Sequence, residues 1–335
     1  MHARLMHLRF FLRPLTLASG LFLIMALLVS LNLGEHTARR QVQTIDITMS
    51  TAEQGGFTPA SLRIRASQTV RLRFHASDVA HAVAIGPGLA LDLGVIAPGE
   101  TKEVTLSIDR PGVYTFYCNL WCSPEHWRMR GVIDVFAVDG SLPPANSDPV
   151  IVALTTAGID IDGAHGAQQT SHSADHASIL ITPDAAMLAV LEIPDILRSP
   201  AWKRTHALAD AAAVLGGANP SQTGIALAGA AAALWREQLQ DADLADAAAL
   251  YAKNCAACHG ATGRGDGIAA SLTPTSPAPF TANALLEKRL DVLYAKIRRG
   301  GMGTGMPNFG TLFTPEETWA LVDYLWLLAL SETSP

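Results

Sequence analysis

Two short stretches of this chain concentrate the side chains that bind metals or react. "YCNLWCSPEHWRMRG" (117–131) carries Cys118, Cys122, His126 and Met129 on one run, and "CAACHG" (255–260) sets Cys255, Cys258 and His259 in a C-x-x-C-H arrangement. The chain has four cysteines, and they form these two close pairs. A disulfide framework scatters its cysteines, so pairing points instead to two local sites.

The second stretch is the more specific. Two thiols three apart reach both vinyl groups of a haem, and the adjacent imidazole then lies under the iron; C-x-x-C-H is the attachment signature of a c-type haem. The iron needs a sixth ligand, and "GGMGTGMPNFG" offers Met302 and Met306. Met306 is preferred, because Pro307 after it holds the loop extended. A thioether opposite a histidine raises the reduction potential and suits electron transfer. A redox dithiol or half a zinc site would leave both the next-door histidine and the methionine loop unexplained.

The first stretch admits three readings: a disulfide staple, a zinc loop or a redox-metal site. A staple makes the histidine and methionine incidental, and structural zinc does not use methionine. Thiolate, imidazole and thioether together select copper. A mononuclear blue-copper site takes one cysteine, so two thiolates imply two coppers bridged by sulfur. A second histidine must then come from elsewhere. "SDVAHAV" supplies His81, with His75 on the preceding strand as the fallback.

The elements that must position these residues follow from periodicity. From about 41 to 138 the period is two: residues 45–49, 70–74, 104–108, 113–118 and 132–138 alternate or run β-branched and aromatic between Gly-Pro turns. Short strands at this spacing predict an all-β sandwich or barrel. From 139 to about 178 the composition is that of a linker, and its histidines (His165, His172 and His176) are expected to be solvated rather than ligating. Residues 185–240 are Ala-rich and helical, with "TGIALAGAAAALW" expected as a packed helix. From 241 the period is helical, giving a small all-α domain. Its last helix opens at Thr314 as N-cap, with Pro315 at the first position and Glu317 closing a capping box.

At the N-terminus, the run from Pro14 to Leu33 lacks any charged residue and reaches about 30 Å as a helix, enough to cross a bilayer. Arg4, Arg9 and Arg13 precede it, which favours a cytoplasmic N-terminus and an exported body. A retained anchor is expected rather than a cleaved signal, since the run is long and no A-x-A-like site follows. The expected divisions are therefore 1–40 (cytoplasmic N-terminus and transmembrane anchor), 41–140 (the β-domain), 141–240 (linker and Ala-rich helices) and 241–335 (the haem domain). With a net charge of −6 in 335 residues, nothing suggests a nucleic-acid partner.

Two resemblances carry this further. Residues 241–330, with "GRGDG" (263–267) and the Met-Pro loop, look like a class I cytochrome c domain. Residues 42–138 resemble the binuclear copper A (CuA) domain of cytochrome c oxidase subunit II. That family's D-V-x-H stretch matches Asp78–His81, and its C-x3-C-x3-H-x2-M loop matches Cys118, Cys122, His126 and Met129. The resemblance implies a cupredoxin barrel in which each copper takes one imidazole, His81 or His126. Cys118 and Cys122 bridge, and Met129 and the Leu120 carbonyl are weak outer ligands.

There are departures. Many oxidases place a magnesium-binding glutamate where this chain has Leu120, and they have two spans rather than one. Their aromatic electron-acceptor cluster has no match upstream of His81, although Trp121 and Trp127 flank the ligands.

A membrane-anchored, exported chain with copper and haem domains and no catalytic base is expected to be an electron-transfer subunit. The resemblance implies subunit II of a bacterial haem–copper oxidase, a single-pass membrane protein with both metal domains on the periplasmic or extracytoplasmic side. Electrons would pass from an external donor, such as a soluble cytochrome c or cupredoxin, through haem c and CuA to subunit I, where oxygen is reduced. The alternatives are a CuA subunit of a nitric oxide reductase and a stand-alone tethered carrier.

Overall fold

The computed structural model describes residues 42–331 apart from 90, 144–147, 162–180, 241–243 and 302–303, and before residue 42 it describes Met25 alone. The expected membrane anchor, the three linker histidines and Met302 therefore lie outside the described residues, as does the side chain of Trp127. Among the described residues no helix is long and apolar enough to cross a membrane.

The N-terminal half is a two-sheet β-sandwich. Strands β1 (Gln43–Met49), β2 (Phe57–Thr58), β4 (Thr69–Ala76) and β7 (Thr101–Ser107) form one sheet in the order β2-β1-β4-β7. The second runs β3-β9-β8-β5-β6, from β3 (Ser61–Arg65), β5 (His81–Gly86), β6 (Leu91–Ile96), β8 (Gly112–Tyr117) and β9 (Arg130–Phe136). The pairs β1–β4 and β3–β9 are parallel. Alternation sets the faces. In β4, Val70, Leu72, Phe74 and Ala76 point inward while Arg71 and Arg73 do not. Phe57, Phe74 and Phe116 pack edge-to-face at the centre, Phe57 lying 4.9 Å from Phe116. Gly131 leaves room for that cluster, since a Cβ there would sit 2.0 Å from the Phe116 ring.

Strand β5 breaks the alternation, being buried at every position. Val83 and Ile85 belong to the sandwich core, but Ala84 belongs to the core of the helical half. The outer face of this strand is covered by the other domain, and small alanines suit that close approach.

The helical half contains α1 (Pro149–Thr156), α2 (Ala185–Leu188), α3 (Pro200–Arg204), α4 (Leu208–Ala218), α5 (Gly224–Gln240), α6 (Ala245–Asn254), α7 (Ala256–His259), α8 (Ala282–Leu285), α9 (Leu290–Arg299) and α10 (Pro315–Ser331). The expected cap of α10 is present: Thr314 N–H donates to Glu317 Oε2 at 2.6 Å and Glu317 N–H donates to Thr314 Oγ1 at 3.1 Å. Residues 185–240 are not a passive linker. α5 is the Ala-rich helix, buried on nearly every side from Ala228 to Trp235, and it joins one hydrophobic core with the haem-domain helices. Trp235 packs edge-to-face on Trp326 of α10, 4.7 Å between centroids. α1 is docked too, because its N-cap Asp148 accepts from Tyr294 Oη (2.9 Å) and pairs with Arg298 (2.6 Å), both on α9.

Candidate metal centres

The first centre is built where β5 starts and β8 ends. His81 opens β5, Cys118 follows β8, and the connection to β9 carries Leu120, Cys122, a 3₁₀ turn over His126–Arg128, and Met129. All the expected copper ligands converge there. Cys118 Sγ lies 3.9 Å from His81 Nδ1, 3.3 Å from the Leu120 carbonyl oxygen and 4.0 Å from Cys122 Sγ. Cys122 Sγ lies 3.6 Å from His126 Nδ1 and 3.3 Å from Met129 Sδ. Both cysteines are free, and a sulfur separation of 4.0 Å is about twice that of a disulfide, so the staple reading fails. His75, the fallback ligand, is exposed on β4 and bonded to Thr101. It takes no part.

Asp78 was visible only as part of a matching stretch; its role appears here. Its Oδ1 lies 2.7 Å from His81 Nε2, and it accepts backbone N–H bonds from Thr51 and Val79 at 2.6 and 2.7 Å. A carboxylate on Nε2 fixes the proton there and leaves the Nδ1 lone pair aimed at the thiols, the outer-shell arrangement of a metal-bound histidine. Burial opposes charge on both groups, but hydrogen bonding outweighs it: the Asp78 carboxyl is lowered and the His81 imidazole raised by contacts with Cys118 and Asp78. Within the thiol pair, the Cys122 thiol pulls Cys118 well below the ordinary thiol range against its burial, and the imidazoles of His126 and His81 add to the effect. Cys122 is pushed up by Cys118 and by burial. One readily formed thiolate beside a second thiol, two imidazoles, a thioether and a carbonyl suits copper.

The second centre is a crevice among α6, α7, α9 and the loop before α10. Cys255, Cys258, His259 and Met306 all line it. His259 is held by two contacts: its Nδ1 lies 3.2 Å from the Ala278 carbonyl oxygen, and its ring stacks on Phe280 at 4.5 Å. An Nδ1 bonded to a carbonyl directs Nε2 into the crevice, as an axial ligand requires. Burial lowers the His259 pKa, favouring the neutral ring that binds metal. Burial also pushes the Cys255 thiol up to about 12 and raises Cys258. The residues fit a covalently held haem, and Met306 lines the crevice on the haem-domain side.

Both centres open on one cavity of about 960 Å³, whose wall includes Leu120, Trp121 and His126 on the copper side and Cys255, His259 and Met306 on the haem side. Trp121, flagged in the sequence as an aromatic neighbour, lies edge-on to His126 at 5.7 Å.

Comparison with known families finds two domain types in the chain. Residues 23–133 match the model of a cupredoxin-like domain, and residues 242–325 match that of cytochrome c oxidase, cbb3-type, subunit III. Among solved structures, the chain is similar to an auracyanin from the photosynthetic bacterium Roseiflexus castenholzii (19% identity, 28% of this chain and 96% of that one, TM-score 0.23). A subunit of a haem–copper terminal oxidase dimer matches at 19% identity, over 36% of this chain and 99% of that one (TM-score 0.25). The copper nitrite reductase of Nitrosomonas europaea matches at 19%, over 35% and 54% of the two chains (TM-score 0.25). The chain is thus a cupredoxin-like domain fused to a cytochrome c domain. A cupredoxin-like domain and a cytochrome c domain on one chain point to copper, haem and an electron-transfer role.

Proposed function

We propose that this chain is the electron-transfer subunit II of a haem–copper terminal oxidase, holding a binuclear CuA centre and a covalent haem c. The observation that carries the reading is the donor set around Cys118 and Cys122: two thiols 4.0 Å apart, each with its own imidazole, and the Leu120 carbonyl and Met129 thioether at the two ends. A single copper would use one of those thiols. Two coppers would use both, with His81 and His126 supplying one imidazole each.

Bound copper and haem supply one-electron chemistry; the protein positions and insulates them. Asp78 fixes the His81 tautomer, the Ala278 carbonyl and Phe280 orient His259, and the start of the loop after β8 keeps the Cys118 thiol buried. Cys255, Cys258, His259 and Met306 would hold the haem and the residues around Cys118 and Cys122 the copper, so that electrons would pass from an external donor such as a soluble cytochrome c or cupredoxin through the haem and copper sites to subunit I of the complex. The 14–33 segment anchors the chain in a bacterial membrane with both metal domains outside the cytoplasm.

Purification of the native complex tests this. Two coppers and one haem c per chain, a co-purifying haem–copper subunit and oxygen consumption are expected. Absence of such a subunit defeats the oxidase reading, and consumption of nitric oxide in place of oxygen assigns the chain to the reductase branch. For the centre itself, Cys122→Ser abolishes the mixed-valence electron paramagnetic signal; an unchanged signal refutes the binuclear assignment.

A further inference from the structure

The two domains meet through contacts that sit immediately beside the metal ligands on both sides. Lys253 on α6, two residues before the haem cysteine Cys255, pairs with Asp92 on β6. Asp92 Oδ2 also accepts from Asn119 Nδ2 at 3.0 Å, and Asn119 is the buried residue between Cys118 and Leu120. On the other side of the crevice, the guanidinium of Arg130, next to Met129, donates to the carbonyl of Asn308, two residues after Met306, and lies over the Phe309 ring at 5.3 Å. Between these two bridges the backbones touch. A Cβ on Gly86, at the end of β5, would fall 2.1 Å from the Leu312 carbonyl oxygen, and Ala84 and Tyr117 are buried within the haem-domain core.

We propose that Asp92 and Arg130 are positioning residues of a two-point interdomain latch, Lys253–Asp92–Asn119 and Arg130–Asn308, which closes the haem crevice onto the copper loop and fixes the geometry of haem-to-copper transfer. This rests on the electron-transfer route proposed above. The transfer is a one-electron exchange, iron going from ferrous to ferric as the copper centre gains the electron, with no bond made or broken. Its rate therefore depends on separation and packing, which the latch sets.

The Lys253–Asp92–Asn119 bonds run between side chains that are not metal ligands, so this arm of the latch can be opened with both sites intact. Without it the domains stay tethered, but docking becomes one state among many. The Lys253–Asp92 pair is half-exposed, and salt weakens such pairs.

The test uses the full chain loaded with both metals, reducing the haem by flash photolysis and following copper reduction. Lys253→Met is expected to slow transfer about two- to fivefold, the scale of losing one half-exposed ion pair, and Gly86→Ala, whose added methyl has the Leu312 carbonyl to displace, is expected to slow it independently, while optical and paramagnetic spectra of both centres stay as in the native chain. Lys253→Arg restores the rate, and salt near 1 M slows the native chain but not Lys253→Met. Small-angle scattering reports docking without any electron transfer: both disrupted variants should be more extended than the native chain. Unchanged rate and unchanged scattering in both variants overturn the latch. A compact native chain showing no haem-to-copper transfer, with variants that extend it, upholds the latch and defeats the route.

Discussion

Asp78→Asn probes the least conspicuous part of the copper centre. Asp78 Oδ1 faces His81 Nε2 and the Val79 N–H, and Oδ2 faces the Thr51 N–H. An amide has one oxygen, so one of these faces must receive an NH₂ group. Placed toward Thr51, it meets a donor with a donor and leaves a part-buried N–H unpaired, at about 1–3 kcal/mol of fold stability. Placed toward His81, it drives the imidazole proton to Nδ1, the nitrogen that faces the thiols, and removes the lone pair a metal needs. Either way the charge-assisted bond is lost. Such bonds contribute about 1.5–3 kcal/mol, which is roughly 10–100-fold in copper affinity. Competition of the loaded protein against a copper chelator reads the affinity, and urea unfolding of the metal-free protein separates the stability cost. Asp78→Asn binding copper within about threefold of the native protein would refute the argument that this carboxylate sets the His81 tautomer.

Met306→Ala should lower the haem reduction potential and remove the sulfur–iron absorption band, whereas Met302→Ala should leave both unchanged; the reverse result moves the axial ligand. Gly131→Ala should cost about 1–3 kcal/mol or more, read as a lower denaturant midpoint, because the added methyl has only the buried Phe116 ring to displace. Interdomain docking should also depend on acid. Burial opposes ionisation of Asp92, but bonds from Lys253, the Gly94 N–H and Asn119 outweigh it and depress its pKa. A depressed carboxylate contributes stability that is fully present above the ordinary aspartate value of about 3.9 and lost as pH falls through the lower folded value. Scattering should therefore show a docked chain through neutral and mildly acidic pH and an extended one only below about pH 4; extension at pH 6 would point to a different bond.

The copper loop was legible because its donors lie on one short run and a metal with soft ligands demands that set. The haem motif was legible for the same reason. What escaped were features created by the second domain. β5 carries no alternation because Val83 and Ile85 face the sandwich while Ala84 faces the helical core. A strand buried on both faces by elements from different parts of the chain has no period to detect. α5, expected as a packed helix, is packed against α2 and α4 and by Trp326 and is apolar nearly all round, so no amphipathic stripe told which elements it packs against. Lys253, Asp92 and Asn119 are ordinary surface types at unremarkable positions, and only the fold brings residues 253 and 92 together.

Leu120 shows how the two halves depend on one another. The position contributes its backbone carbonyl, 3.3 Å from Cys118 Sγ, and a carbonyl is indifferent to the side chain behind it. The side chain is therefore free for a second purpose. In this chain it packs against the sandwich core and lines the cavity shared with the haem crevice. A glutamate here, as many oxidases have, would bring a charge to a wall facing Cys255 and Met306, where burial without a partner is costly. An apolar residue fits a copper loop that a haem domain covers. Leu120→Glu should then leave the copper ligands in place while loosening the dock, so scattering should report an extended chain with an unchanged copper spectrum. A chain that stays compact would show that the side chain at this position has no part in joining the domains.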